Sequence, residues 1–225
     1  MAAMKLKERF MNQLMGKKVD MTPVGCTTTY GVVDFMKQCG YERPLADTDP
    51  VAMTELGYAG YQHGGFEWVK AMGWDILPLS EAFGCELGTP KIDLQYSVKG
   101  HPYSDGVDNL TFPSNFLEKG RFPIFKENLK LLKKKVGEEV VMFGESEGAF
   151  TCAANLVGTE LFMKWCIKKP DAVFKVLEVT KQAAIAAANF AFDHGADFYV
   201  YAEPTSGPAL MSPRLWEKFV LPVEK

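Results

Sequence analysis

Residues 143–222 read FGESEGAFTCAANLVGTELFMKWCIKKPDAVFKVLEVTKQAAIAAANFAFDHGADFYVYAEPTSGPALMSPRLWEKFVLP, and their spacing decides the fold. A β-branched strand pattern, Glu139 to Phe143, leads into the segment, and Gly144 is expected to stop it. A helical pattern from Asn155 to Ile167, starting as much as a turn earlier, comes next. Lys169-Pro170-Asp171 breaks the chain before a long helix from Pro170 to His194, which Gly195 ends. Asp197 to Tyr201 (DFYVY) is a second short apolar strand, and Ser212-Pro213 opens a further helix as cap and first turn. Short apolar strands each followed by a long helix are the mark of parallel βαβ units, with right-handed crossovers placing the helices outside the sheet.

Working upstream, the first 20 residues form a short amphipathic helix pattern, and Lys18 to Gly25 reads as a first strand. Thr48 to Met72 reads as a helix opened by Asp49-Pro50 and closed by Gly73, with Trp74 to Leu79 as the strand after it. Glu81 to Asp108 is punctuated by Gly, Pro and Asp and carries the short-strand segment KIDLQYSV, within an inserted region of about 81–120. Phe122 to Val136 is helical. About four strands are readable, whereas a closed eight-stranded barrel takes roughly 250 residues. The expectation is therefore one domain, 1–225, holding a little over half of a (β/α)8 barrel, in a chain that stops at Lys225 within a helical pattern and continues in the natural protein. A doubly wound α/β sheet is the competing reading; GESEGAF does not supply its GxGxxG phosphate loop.

Hydrophobic residues make up 47% of the 225 and charged residues 24%, as in ordinary globular proteins. A net charge of −3 argues against nucleic acid or an anionic membrane surface as partner. The basic run Lys130, Lys133, Lys134, Lys135 reads as a solvated helix face. Five cysteines without CxxC spacing, and no secretory signal, point to reduced thiols in a cytoplasmic protein. No stretch approaches the ~18 apolar residues of a membrane span.

In a parallel barrel, chemistry sits where strands end and helices begin. Four clusters fall there: Cys26-Thr27-Thr28-Thr29-Tyr30; Asp75 with Pro78-Leu79-Ser80-Glu81; Glu145-Ser146-Glu147; and Glu203-Pro204-Thr205-Ser206. Glu203, Asp75 and Glu147 are the candidate catalytic carboxylates, and Cys26, Thr27, Thr28, Ser146, Thr205 and Ser206 the candidate substrate-binding groups. Each also has a structural reading, as a loop packed under the mouth, a backbone-bonding strand-entry residue or a loop charge. His194 precedes Gly195 at a helix end, where a cation suits the dipole, and Cys152 and Cys166 read as core thiols. His63 and His101 have no Cys or His at metal spacing, so no metal ligand set is expected within the chain.

The segments GAFTCAANLVGTELFMKW (148–165), KPDAV (169–173) and HGADFYVYAEPTSGPALMSPRLWEKFVLP (194–222) resemble the uroporphyrinogen decarboxylase superfamily, in its corrinoid-dependent methyltransferase branch that serves coenzyme M. The resemblance implies a (β/α)8 barrel and a zinc site of one His-x-Cys pair and a later Cys, which would lie beyond Lys225. It also implies a thiol acceptor, or in some relatives a folate, and a methylcorrinoid carried by a separate protein. Glu203 stands where the family more usually has Asp. The decarboxylase branch itself binds its tetrapyrrole with an arginine-rich loop; CTTTYGVVDFMKQCGYERP (26–44) has only Arg43, although Asp75 in WDILPLSEAFG matches that branch's central aspartate and Asn155 replaces a pocket tyrosine. A non-catalytic barrel fragment acting as a binding subunit is the further alternative.

Overall fold

The computed structural model describes residues 3–28 and 30–225; Thr29 of the first candidate cluster lies outside them, as do Met1 and Ala2. The elements run α1 (Leu6–Leu14), α2 (Val33–Cys39), α3 (Leu45–Thr48), α4 (Pro50–Gly64), β1 (Trp68–Lys70), α5 (Pro78–Ala82), β2 (Glu86–Leu87), β3 (Val98–Gly100), α6 (Phe122–Val136), β4 (Val141–Glu147), α7 (Ala149–Val157), α8 (Thr159–Lys168), α9 (Pro170–Asp193), β5 (Phe198–Ala202), α10 (Pro213–Phe219) and α11 (Leu221–Glu224). Two short 3₁₀ turns, Phe116–Glu118 and Pro204–Ser206, complete them.

The protein is α/β with a parallel sheet. β1, β4 and β5 are adjacent in that order, with Lys70 opposite Phe143 in one pair and Phe143 opposite Phe198 in the other. β4 is the middle strand and is buried along its whole length, as a parallel strand covered on both faces must be. Alternation puts Phe143, Glu145 and Glu147 on one face and Gly144 and Ser146 on the other. On the first face Phe143 stacks on Phe198, which in turn stacks on Phe10 of α1, and Phe10 meets Trp68 edge-on. On the second face α9 lies against the sheet, with Ala191 beside Gly144.

Several elements form where their residues predict. Asp49 caps α4 by accepting from the Val51 and Ala52 N–H groups at 3.0 and 2.8 Å. α6 buries Phe122, Phe125, Leu129, Leu132 and Val136, the 3.6-residue stripe of an amphipathic helix. Ser212 accepts from Leu215 N–H at 3.4 Å and starts α10.

Five local expectations are corrected. Residues 18–25 form no strand: Pro23 has no N–H, and the segment is joined to the stretch just before β1 by the bond from Glu67 N–H to the Val24 carbonyl at 2.8 Å. The helix expected to reach Met72 ends at Gly64, because Gly65 turns left-handed (φ 69°) and Phe66 N–H closes on the Gly60 carbonyl. The strand therefore comes early, at Trp68–Lys70; Met72 (φ 64°) and Gly73 (φ 85°) reverse the chain, and Trp74 to Leu79 is a turn into α5. Gly144 does not stop β4. A Cβ there would stand 2.6 Å from Met72 Sδ, so the glycine marks a close approach within the strand. The helix expected over 155–167 is two, divided at Gly158 (φ 97°).

Candidate functional site

The candidate residues gather at the C-terminal ends of β1, β4 and β5, with α7 as the element that joins them. Lys70 closes β1, and its ammonium is buried against the Glu145 carboxylate of β4. The same Nζ donates to the Thr27 carbonyl at 3.1 Å, so this buried pair tethers the Cys26–Thr28 loop to the sheet. Trp68 Nε1 adds a second tether at 3.0 Å to the Cys26 carbonyl, and Cys26 Sγ lies 3.5 Å from Thr28 Oγ1.

Glu147 ends β4 and is fully buried. Its carboxyl accepts from Ser80 N–H at 2.7 Å and Leu79 N–H at 3.3 Å, the first turn of α5. Burial, only partly opposed by these bonds, pushes its pKa up to about 8. Ser146 points to the opposite face, also fully buried, and donates to the Glu147 carbonyl at 2.8 Å.

Asp75 lies in the turn after β1. Arg121, at the start of α6, donates to its two carboxylate oxygens at 2.7 and 3.0 Å, and Leu77 N–H donates at 2.9 Å. Burial alone would raise the Asp75 pKa, but the guanidinium charge and these bonds outweigh it and hold it below the usual carboxylate range. Arg121 also donates to Glu81 at 2.8 Å and lies 4.2 Å over the Tyr96 ring, so it binds the inserted segment to the sheet.

Glu203 follows β5 directly. It accepts from Phe150 N–H and Thr151 N–H at 2.8 Å each and from Thr151 Oγ1 at 2.6 Å. Gly148, the residue before α7, brings no capping side chain, and Glu203 takes that place from another strand; a Cβ at Gly148 would clash with it. Burial pushes the Glu203 pKa up to about 7 against the lowering effect of the same bonds. Thr205 Oγ1 is 2.8 Å from Thr151 Oγ1, and Ser206 Oγ donates to the Glu203 carbonyl at 3.1 Å.

Further along α7, Asn155 donates to Ser80 Oγ at 3.0 Å, and its carbonyl oxygen lies 2.6 Å from His101 Nδ1. These groups wall a cavity of about 470 Å³ between the turn at Asp75, the inserted segment (Tyr96, Ser97, His101) and the α7–α8 junction (Asn155, Thr159). Sequence reasoning missed Lys70, because it sat in a misplaced helix, and Arg121, which no short motif marks. It placed His101 in an inserted loop without a Cys or His at metal spacing; in the fold its ring meets the Asn155 backbone carbonyl, 54 residues away.

No group of three or more His, Cys, Asp or Glu among the described residues is arranged to hold a metal ion, so the residues described do not fit a zinc site. His194 is occupied structurally, its Nδ1 2.7 Å from the Phe190 carbonyl. No disulfide joins the described cysteines.

A parallel α/β sheet with polar side chains collected at its C-terminal edge defines the class. The sequence matches the uroporphyrinogen decarboxylase (URO-D) family over residues 5–225, and the chain belongs to that family. It is 37% identical over 220 residues to methylcobamide:CoM methyltransferase MtaA of Methanosarcina barkeri, covering 98% of this chain and 65% of that protein. It is 30% identical over 219 residues to methylcobamide:CoM methyltransferase MtbA of Methanosarcina mazei, covering 97% and 64%. A solved structure of a methyltransferase from Methanosarcina mazei superposes with a TM-score of 0.94 at 36% identity, over 97% of this chain and 65% of that one. The chain thus spans just under two thirds of the length of these relatives.

Proposed function

We propose that the protein carrying this chain transfers a methyl group between a corrinoid protein and a small thiol of the coenzyme M kind. The observation that carries the reading is the 37% identity to a methylcobamide:CoM methyltransferase across 98% of the chain. The proposed architecture is a (β/α)8 barrel in which residues 1–225 form one unit with an insertion at about 81–120. The strand order β1, β4, β5 follows chain order, as neighbouring strands of a barrel do.

In this reading Glu203, Asp75 and Glu147 shape the mouth, and Cys26, Thr27, Thr28, Thr205 and Ser206 build its polar surroundings; Ser146, on the opposite face of β4, lies away from it. Glu147, with a pKa of about 8, is neutral near pH 7 and offers a proton rather than a charge. The zinc implied by resemblance has no ligand set among the described residues, and no step here runs through it. A folate acceptor is the narrower variant. No described helix is long and apolar enough to cross a membrane, and we place the reaction in the cytoplasm, without nucleic acid or membrane as partner.

Uroporphyrinogen decarboxylation is the second reading, favoured by the position of Asp75. Against it, Arg43 is buried and gives its guanidinium to Asp47, through Nε at 2.9 Å and Nη2 at 3.0 Å, so it does not present itself to a substrate carboxylate. The test incubates full-length protein with methylcobalamin and coenzyme M. Thiol-dependent loss of the methylcobalamin spectrum with formation of the methyl thioether supports the proposal. Conversion of uroporphyrinogen without methyl transfer would replace it with the second reading, and neither activity would favour a binding subunit.

A further inference from the structure

The inserted segment carries a hairpin whose two feet are fastened and whose blade is not. β2 and β3 pair antiparallel, and beyond them Lys91 and Leu94 bond each other at 2.9 and 3.2 Å around a tip at Ile92-Asp93. We propose that residues 88–98 are a hinged flap, latched by Tyr96 on Arg121, that opens and closes the cavity beside Asp75. The flap goes beyond the methyltransferase reading and does not depend on it.

The feet are held by directional bonds, and both reach one atom. Cys85 Sγ donates to the Asn155 carbonyl at 3.5 Å, and His101 Nδ1 lies 2.6 Å from the same oxygen. Cys85 N–H also donates to the Ser80 carbonyl at 2.9 Å, and Tyr103 N–H to the Leu156 carbonyl at 2.9 Å. A Cβ on Gly158 would stand 3.3 Å from His101 Cδ2, so the bare glycine makes room for the ring. α5 and α7 thus fix both ends of the hairpin.

The hinge lies just inside these feet. Glu86 faces Gly100 while Leu87 faces Val98, which leaves Lys99 as the extra residue of a bulge. A bulge bends and twists a ladder where it occurs, and Gly100 beside it adds backbone freedom. Hinges are a few such residues at element ends that absorb a change in backbone angle.

The blade beyond the bulge is held differently. Among the described residues, the hydrogen bonds of 88–98 run within the hairpin, as from Gly88 N–H to the Ser97 carbonyl at 2.8 Å. What holds it to the body is apolar or aromatic. Leu87 and Val98 pack on the core at the hinge, Pro90 is buried, and the Arg121 guanidinium stands 4.2 Å over the Tyr96 ring. Such contacts are non-directional and part without leaving a buried polar group unpaired. Arg121 is itself fixed by Asp75 and Glu81, so Tyr96 closes on a stationary cation. Gln95, Tyr96 and Ser97 line the cavity from the flap's side, and Asp75, Asn155 and Thr159 from the other. A swing about the bulge therefore removes one wall and opens the cavity to solvent.

The test measures the width of the cavity in solution. Full-length protein carries spin labels at Asp93→Cys, on the exposed tip, and at Glu160→Cys, exposed beside Thr159 on the far wall. Cys26 and Cys39 are replaced by Ser, and the three buried cysteines stay. Expected is a second, longer distance whose population relative to the first grows about 2–30-fold in Tyr96→Ala, the range a cation–π contact supplies. A distance distribution that Tyr96→Ala leaves unchanged overturns the flap. Amide exchange on unlabelled protein separates a moving blade from a loosened fold. Residues 88–98 should exchange faster in Tyr96→Ala while 101–103 and α7 keep their protection. Faster exchange along the whole chain would make Tyr96 a packing residue and overturn the assignment. Should Tyr96→Ala misfold, Tyr96→Leu, which keeps apolar bulk without the ring, is read by the same two outcomes.

Discussion

Arg121 grips Asp75 through both terminal nitrogens, at 2.7 and 3.0 Å, with both side chains almost fully buried. The pair joins the turn after β1 to the start of α6 across 46 residues. Arg121→Met should cost about 3–5 kcal/mol, because a buried carboxylate loses its counter-charge. The double variant Arg121→Met/Asp75→Asn should recover much of that loss, as no unpaired charge remains. Urea midpoints of the three proteins test this; equal loss in single and double variants would mean that the guanidinium matters through packing on Tyr96 instead.

Glu147 should give stability a distinct pH dependence. Its folded pKa of about 8 lies above the roughly 4.3 of an unfolded glutamate, so the unfolded state releases the proton first. Its contribution is therefore full below about pH 4.3 and lost as pH rises to about 8. Glu147→Gln removes the titration. The wild-type-minus-variant stability should fall across that window and level off above it, and a flat difference would show that Glu147 titrates alike in the folded and unfolded states.

Glu203 is expected to act on the fold as well as on the site. Replacing it with Ala removes the cap of α7 and should cost about 1–2 kcal/mol. Methyl transfer should fall with it, since α7 also carries Thr151 and Asn155. Glu203→Gln keeps one acceptor oxygen where Phe150 N–H and Thr151 N–H each use their own, and should retain part of the stability. Thermal unfolding of both variants beside their rates separates capping from chemistry: activity lost in a folded Glu203→Gln would assign the charge itself to the reaction.

Gly57 of α4 faces the Lys70 carbonyl, and a Cβ there would clash with that oxygen. Alanine favours a helix by about 1 kcal/mol over glycine, yet overpacking against backbone costs about 1–3 kcal/mol or more. Gly57→Ala should therefore lower the Tm by a few degrees, whereas the helix-propensity argument alone predicts a rise. Calorimetry distinguishes the signs.

Much of this architecture was legible locally. α6 and α9 follow from apolar spacing, the starts of α4 and α10 from Asp49 and Ser212, and β5 from its apolar run. β1 was not, because WVK is only three residues beside an Ala- and Gly-rich helix, and what makes it a strand is the parallel pairing with Val141–Phe143. The reading of strand ends singled out Asp75, Glu147 and Glu203, which lie in the turn after β1, at the end of β4 and directly after β5. Their partners were out of reach of spacing: Arg121 lies 46 residues from Asp75, and Lys70 75 residues from Glu145. No local pattern encodes such pairs, since each is created by the crossover that brings two strands together.

The first helix carries a mechanical consequence. Lys7 pairs with Asp197 just before β5 and with Glu138 before β4, while Arg9 pairs with Glu67 just before β1 and with Asp20. Phe10 fills the space between Trp68 and Phe198. One short helix thus pins the leading ends of all three strands, like the rivet of a hand fan. The opposite ends, where the carboxylates stand, are fastened by other means: β4 and β5 stay paired as far as Glu147 and Ala202, and Gly148 N–H donates to the Ala202 carbonyl at 2.9 Å. The sheet is thus clamped at both ends, by ion pairs and stacked rings at its root and by backbone bonds and buried carboxylates at its rim.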